Sequence, residues 1–166
     1  NVDANDVTIK NCEFNFSAST FDFKVHIDAT SVQRVNVVGC KFFTEDLAGS
    51  ECALRIQSAI GVVFEANEVY GDWNSACVYS DITASVGVQI LRNDMYNSDT
   101  TAGNIIDLNV ADRGLFAQNN CGTLYATSAG ATIDPGSLLS LENYVCNAID
   151  ETGRVVPGTL SGLGET

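Results

Sequence analysis

The sequence predicts an all-β chain wound as a right-handed, single-stranded parallel β-helix. Three observations carry that expectation. One eight-residue unit recurs along most of the 166 residues, spaced by about 27. Inside the unit apolar residues alternate with others, and β-branched and aromatic types are frequent, as in strands. Between units lie segments rich in Ser, Thr, Gly, Asp and Asn, which read as loops.

The unit is first seen as Val7–Phe14 and returns as Val35–Phe42, Val62–Val69 and Val88–Met95. A degraded copy is Leu115–Gly122, and Leu139–Tyr144 is a trace of a sixth. Ile9, Val37, Phe64, Ile90, Ala117 and Leu141 take one repeat position, with successive spacings of 28, 27, 26, 27 and 24. Ankyrin and tetratricopeptide units are longer and helical, and the leucine-rich frame is absent. Three short strands and three turns fit the length, and stacked coils bring equivalent residues about 4.8 Å apart.

A second strand family precedes each unit, at Val25–Asp28, Leu54–Gln57, Val78–Ile82, Ile106–Asn109 and Thr132–Asp134. A third follows it, at Phe14–Phe16, Phe42–Phe43, Val69–Tyr70 and Met95–Tyr96. Variable loops fill Ser17–Asp22, Thr44–Glu51, Gly71–Ala76, Asn97–Gly103 and Ala126–Gly130. Such insertions leave a solenoid from one face, often the working one. The expected organisation is about five coils over 1–146 and an extended C-terminal arm or cap over 147–166, where Gly and Pro replace the repeat.

The unit Val-x-Ile-x-Asn-Cys/Asn-x-Phe resembles the parallel β-helix repeat of the pectate-lyase-like superfamily, over roughly Val7 to Cys146. That group includes pectate lyases, polygalacturonases, alginate-modifying enzymes and phage tailspikes. The resemblance implies a fold and leaves the activity open. It also implies a stacked ladder in the turn after the unit's strand, here Cys12, Cys40, Asn67, Asn93 and Asn120. Stacked amides bond coil to coil, and Cys is a small buried substitute.

The six cysteines fall into pairs about one coil apart: 12 with 40, 52 with 77, and 121 with 146. Parallel stacking holds Cβ atoms near the strand spacing, wider than the roughly 3.8 Å of a disulfide. Reduced, buried thiols are therefore expected over disulfides. No Cys-x-x-Cys occurs, and the single histidine, His26, excludes chemistry needing two. His26 is expected to point outward or to bond a neighbour.

Carboxylate pairs carry glycoside hydrolysis. Asp28, Asp81, Asp107 and Asp134 end or sit within the second strand family, and Asp81 and Asp107 are the catalytic candidates. The polygalacturonase-like signatures Asn-Thr-Asp, Asp-Asp and Gly-His-Gly are absent, so solvent-facing acids on an acidic protein are the competing reading. Tyr70, Asp72 and Trp73 form a candidate binding patch, since an aromatic among polar groups suits a sugar or a protein contact. A ring folded over a strand edge is the competing reading of Trp73, and the favoured one. Asp3, Asn5 and Asp6, and Asn93, Asp94, Asn97 and Asp99, offer oxygen ligands without a calcium-loop frame, so turn chemistry is the reading and no metal or cofactor is expected. Asn15-Phe16-Ser17 matches a glycosylation sequon.

The net charge is −13, with no Lys/Arg cluster, so nucleic acid and anionic membrane are poor partners. No apolar run reaches the length of a membrane span. Nothing before Val7 is long enough for a cap helix, so the first coil is expected to meet another domain, chain or copy. The expectation is a non-enzymatic structural or adhesive module of a virion or extracellular surface, of the decoration, head-fibre or tailspike-like kind, in a homo-oligomer such as a trimer, with a glycan as a possible ligand. The alternatives are a carbohydrate-active enzyme fragment and a sugar-binding surface protein.

Overall fold

The computed structural model describes residues 1–16, 25–44, 50–80, 83–99, 104–123, 133–149 and 155–157. The chain is a parallel β-solenoid. It opens with β1 (Thr8–Lys10) and β2 (Glu13–Phe16). β3 (Val25–Thr30), β4 (Gln33–Val38) and β5 (Lys41–Thr44) follow, then β6 (Cys52–Gln57), β7 (Ile60–Glu65) and β8 (Glu68–Gly71). Next come β9 (Val78–Tyr79), β10 (Val86–Leu91), β11 (Asp94–Asn97), β12 (Ile106–Asp107), β13 (Arg113–Ala117) and β14 (Asn120–Thr123). The series closes with β15 (Ile133–Asp134), β16 (Leu139–Leu141), β17 (Tyr144–Ile149) and β18 (Val155–Pro157).

Each pass of the chain adds a strand to each of three sheets. Sheet A runs β1-β4-β7-β10-β13-β16, sheet B runs β2-β5-β8-β11-β14-β17-β18, and sheet C runs β3-β6-β9-β12-β15. Every pairing is parallel except β17 with β18, where the chain turns back antiparallel across the last edge of sheet B. Most of the variable loops, and residues 158–166 of the C-terminal segment, lie outside the described residues.

The core follows from alternation, because every second residue of a strand points inward. Ile27, Leu54, Val78, Ile106 and Ile133 stack in sheet C, all buried. Val37, Phe64, Ile90 and Phe116 do the same in sheet A. In sheet B, Phe14 and Phe42 stack with ring centroids 4.8 Å apart and planes within 2°, so the rings follow the strand spacing itself.

One conformational device repeats in every coil. The residue after each sheet A strand has a positive φ: Asn11 (53°), Gly39 (61°), Ala66 (52°), Arg92 (52°), Gln118 (57°) and Glu142 (52°). A non-glycine residue there is strained, and strain persists only where surrounding structure fixes it. What fixes it is the next residue, the rung of the internal ladder.

Register differs from the sequence expectation in the fifth copy. Ile9, Val37, Phe64 and Ile90 stack as expected, but the next members are Phe116 and Ser140, one residue earlier than Ala117 and Leu141. The cause lies at the start of β13. Arg34, Gly61 and Gly87 each add a positive-φ residue near the start of their strands. β13 lacks that residue, so Arg113 pairs with Val86 and Gly114 directly with Val88.

Candidate functional site

The ladder of the β1/β2 turn type is continuous from Asn67 to Asn143. Asn67 Nδ2 donates to Asn93 Oδ1 at 3.0 Å, Asn93 Nδ2 to Asn119 Oδ1 at 2.9 Å, and Asn119 Nδ2 to Asn143 Oδ1 at 2.9 Å. The same amides donate to the core-strand carbonyls of Val37, Phe64, Ile90 and Phe116. Cys40 takes the next rung, with its amide N–H on Asn67 Oδ1 at 2.8 Å, and Cys12 begins the row, exposed. The fifth rung is therefore Asn119, and the expectation of Asn120 is corrected. Asn120 faces solvent and donates to Asp94 Oδ1 at 3.1 Å.

A second buried ladder, at the turn from sheet C to sheet A, escaped the sequence reading. Ser85 Oγ accepts from the Ala59 amide at 3.1 Å, and Asp112 Oδ1 accepts from the Ser85 amide at 2.6 Å. Asp112 also accepts from the Ser80 hydroxyl and is 1% exposed. Only two rungs are polar, which left no repeating residue type to notice. Both ladders satisfy buried backbone and are scaffold.

The cysteines are scaffold too. The five whose side chains are described, Cys12, Cys40, Cys52, Cys77 and Cys121, form no disulfide with one another. Burial pushes the Cys77 thiol far up and the Cys52 thiol up. Register also separates two of the expected pairs. Cys52 stands beside Val25, with Cys77 one position off the equivalent site, and Cys121 stacks on Val145 while Cys146 pairs with Gly122.

The expected binding patch divides. Trp73 is fully buried, edge-on to the His26 ring at a centroid distance of 4.9 Å. Its amide donates to Asn97 Oδ1 at 3.0 Å and its carbonyl accepts from Asn97 Nδ2 at 2.9 Å. An exposed sugar-stacking role for Trp73 is thereby corrected: the loop folds the ring inward over sheet C. His26 does not point outward, since it packs on Trp73 and on Phe42, with ring centroids 6.2 Å apart in the second contact. Burial lowers its pKa to about 4. Asp72 follows β8 and is half-buried.

Tyr70 belongs to a different and better-developed surface, the outer face of sheet B. Two outward rows cross its coils in register. One holds Asn15, Phe43, Tyr70 and Tyr96, and the other holds Glu13, Lys41, Glu68, Asp94, Asn120 and Tyr144. Phe43 is 41% exposed, and the Tyr70 and Tyr96 rings lie 6.4 Å apart, tilted by 35°. The polar row is locked sideways. Lys41 Nζ meets Glu68 at 2.9 Å, and Tyr70 Oη donates to Asp94 Oδ2 at 2.6 Å. Desolvation and that carboxylate push the Tyr70 hydroxyl up to about 12, so it stays a donor across the ordinary pH range. Beside the rings lies a surface cavity of about 320 Å³, lined by Glu13, Asn15, Lys41, Phe42, Phe43, Glu68 and Tyr70. Its signal was present in the sequence: Phe43, Tyr70 and Tyr96 recur at spacings of 27 and 26, one residue past the core position of each third strand.

The acidic row of sheet C is shorter than expected. In register it reads Asp28, Arg55, Tyr79, Asp107, Asp134. Asp28 is paired with Arg55 at 2.5 Å. Asp81 lies outside the described residues, and Tyr79 is the member of this row that its coil contributes. Asp107 and Asp134 do stack, and partial burial followed by the Asp134 charge raises the Asp107 pKa. No group of three or more His, Cys, Asp or Glu that could hold a metal occurs among the described residues. Asn5 Oδ1 instead accepts from the Gln33 amide at 2.8 Å, and Asp6 pairs with Arg34. No helix among the described residues is long and apolar enough to cross a membrane.

No family model, curated protein or solved structure matches the chain, so its relationships rest on its own geometry.

Proposed function

We propose that this chain is a non-enzymatic adhesive β-helix module that holds a neutral glycan along the outer face of sheet B, displayed on a virion or other extracellular surface. The observation that carries the reading is the register-aligned row Phe43, Tyr70, Tyr96, with carboxylate, ammonium and amide groups one row away. Aromatic faces take the C–H face of a pyranose, and fixed polar groups beside them pair with its hydroxyls. Tyr70, Lys41, Glu68 and Asp94 are already held by one another, so little side-chain freedom is lost on binding. Sulfated or uronate chains are opposed by Glu13, Glu68 and Asp94 and by the net charge of −13. That same charge favours a solubly displayed rod. Kinship with the pectate-lyase-like superfamily and its tailspike members is part of this proposal, supported by the resemblance of the coil unit.

A neutral-glycan array read with the wild type and with Tyr70→Ala, Tyr96→Ala and the double variant tests it. The expected result is retention of at least one neutral oligosaccharide, weakened about tenfold or more in each single variant at unchanged circular dichroism. Absence of any neutral ligand, or full retention by the double variant, would refute the reading.

An enzymatic reading has one specific observation behind it, the raised carboxyl of Asp107 stacked on Asp134. Such a group suits a general acid. Depolymerisation of a polysaccharide panel by the wild type, abolished in Asp107→Asn, would replace the adhesive reading with that one.

A further inference from the structure

The outer face of sheet A is built unlike the other two. Its outward rows read Thr8, Asn36, Val63, Gln89, Leu115, Leu139 and Lys10, Val38, Glu65, Leu91, Ala117, Leu141, so the apolar members gather in the later coils. Ile60 and Val86 pair at its border with sheet C. Seven large hydrophobic side chains are exposed among the described residues, and four of them lie here: Ile60 (49%), Val86 (45%), Leu139 (60%) and Leu141 (46%). Leu91, Leu115, Ala117, Leu139 and Leu141 adjoin one another over the last coils, and an exposed apolar patch of this kind marks a contact surface.

Its charge is also exceptional. The outward charged groups of sheet A and its bordering turns are Lys10, Arg34, Arg92 and Arg113 against Asp6, Glu65 and Glu142, one short of neutrality. Two of these pairs close across coils, Arg34 with Asp6 and Arg92 with Glu65. The outer strands of sheet B carry Glu13, Glu68 and Asp94 against Lys41, and those of sheet C carry Asp28, Asp107 and Asp134 against Arg55. Two molecules of charge −13 repel through those faces and not through sheet A.

We propose that sheet A is the surface on which a second copy of this chain packs, sheet A against sheet A. A copy brings the same row spacing and the same neutral, apolar chemistry, which is what a self-complementary contact needs. A charged partner would be selected by complementary net charge, and the seven charged groups of this face sum to only +1. The trimer expected from the sequence is one closed form of such packing. Six strands at about 4.8 Å and five residues at about 3.3 Å give a flat footprint of roughly 480 Å². That is about 60% of the 800 Å² per partner of a standard interface, so the association is a weak, reversible one.

Sedimentation velocity of the full chain from about 1 to 200 µM tests it, with Ile60→Glu and Leu139→Glu as variants. Both sites are exposed, so both variants keep the wild-type circular dichroism and urea midpoint. The expected result is a wild-type sedimentation coefficient that rises by mass action and a dissociation constant at least about tenfold weaker in each variant. Raising salt from about 50 to 500 mM tightens the wild-type association, because it screens the repulsion between acidic chains. A monomer at every concentration overturns the proposal, and that includes a face covered by another part of the same chain. Equal association in both variants, or dissociation by salt, overturns it as well, since either places the contact elsewhere. Glycan binding is not needed for any of these readouts.

Discussion

Replacing Asn119 by alanine, and separately its neighbour Asn120, asks a sharp question of the coil register. Asn119 is 1% exposed and its side chain makes four bonds. Nδ2 donates to the Ile90 carbonyl at 2.9 Å and to Asn143 Oδ1 at 2.9 Å. Oδ1 accepts from the Asn93 amide at 3.0 Å and from Asn93 Nδ2 at 2.9 Å. Alanine removes all four and strands the buried Asn93 N–H. That orphaned group costs about 1–3 kcal/mol and the three other lost bonds about 0.5–1.5 kcal/mol each, which puts Asn119→Ala at about 3–5 kcal/mol. Asn120 is exposed and loses one bond to Asp94, so Asn120→Ala is expected to stay within about 0.5 kcal/mol. Urea unfolding compares the two, with hydrogen exchange at the Asn93 amide reading the local loss, because a solenoid can open one coil before the rest. On heating, the Asn119 variant is expected to melt about 10 °C lower, at 2–4 °C per kcal/mol for a chain of this size. An Asn119→Ala cost below about 1 kcal/mol, or equal costs for the two, would refute the ladder assignment.

Gly114→Ala is expected to be among the costliest single-methyl additions in the molecule, about 3 kcal/mol or more, since its Cβ would sit 1.8 Å from the Val88 carbonyl oxygen. Near-wild-type stability would mean that β13 does not meet β10 in the described register. His26 gives a pH window. It titrates near 6.5 when unfolded and near 4 when folded, so the unfolded chain binds the proton first. Its contribution is intact above about 6.5 and is lost as pH falls toward 4, by up to about 3 kcal/mol. In His26→Gln the slope of stability against pH should flatten in that window; an unchanged slope would contradict the buried, neutral ring.

How much of this was legible in the sequence depends on what each position had to signal. Sheet A through β10 was readable because Ile9, Val37, Phe64 and Ile90 keep both period and side-chain type. The slip came where two asparagines adjoin: Asn119 and Asn120 both fit a rung, and only the missing positive-φ residue before Gly114 decides between them. Trp73 misled because its neighbours Asp72 and Asn74 are polar, while the room for its ring comes from a different coil, beside His26. The aromatic row was visible as a period but not as a surface, because alternation assigns Phe43, Tyr70 and Tyr96 outward only once Phe42, Val69 and Met95 are known to be buried. The near-neutrality of sheet A was hidden in a total of −13, since charge balance by face requires the register.

The central claim, a neutral glycan on the outer face of sheet B, is tested most directly by amide and side-chain NMR of the labelled chain titrated with the oligosaccharide that the array ranks first. Shifts are expected at Lys41, Phe43, Tyr70, Tyr96 and Asn120, with Ile60, Val86 and Leu139 on sheet A unmoved. Shifts centred on Asp107 and Asp134 in sheet C, or spread without a centre, would contradict it.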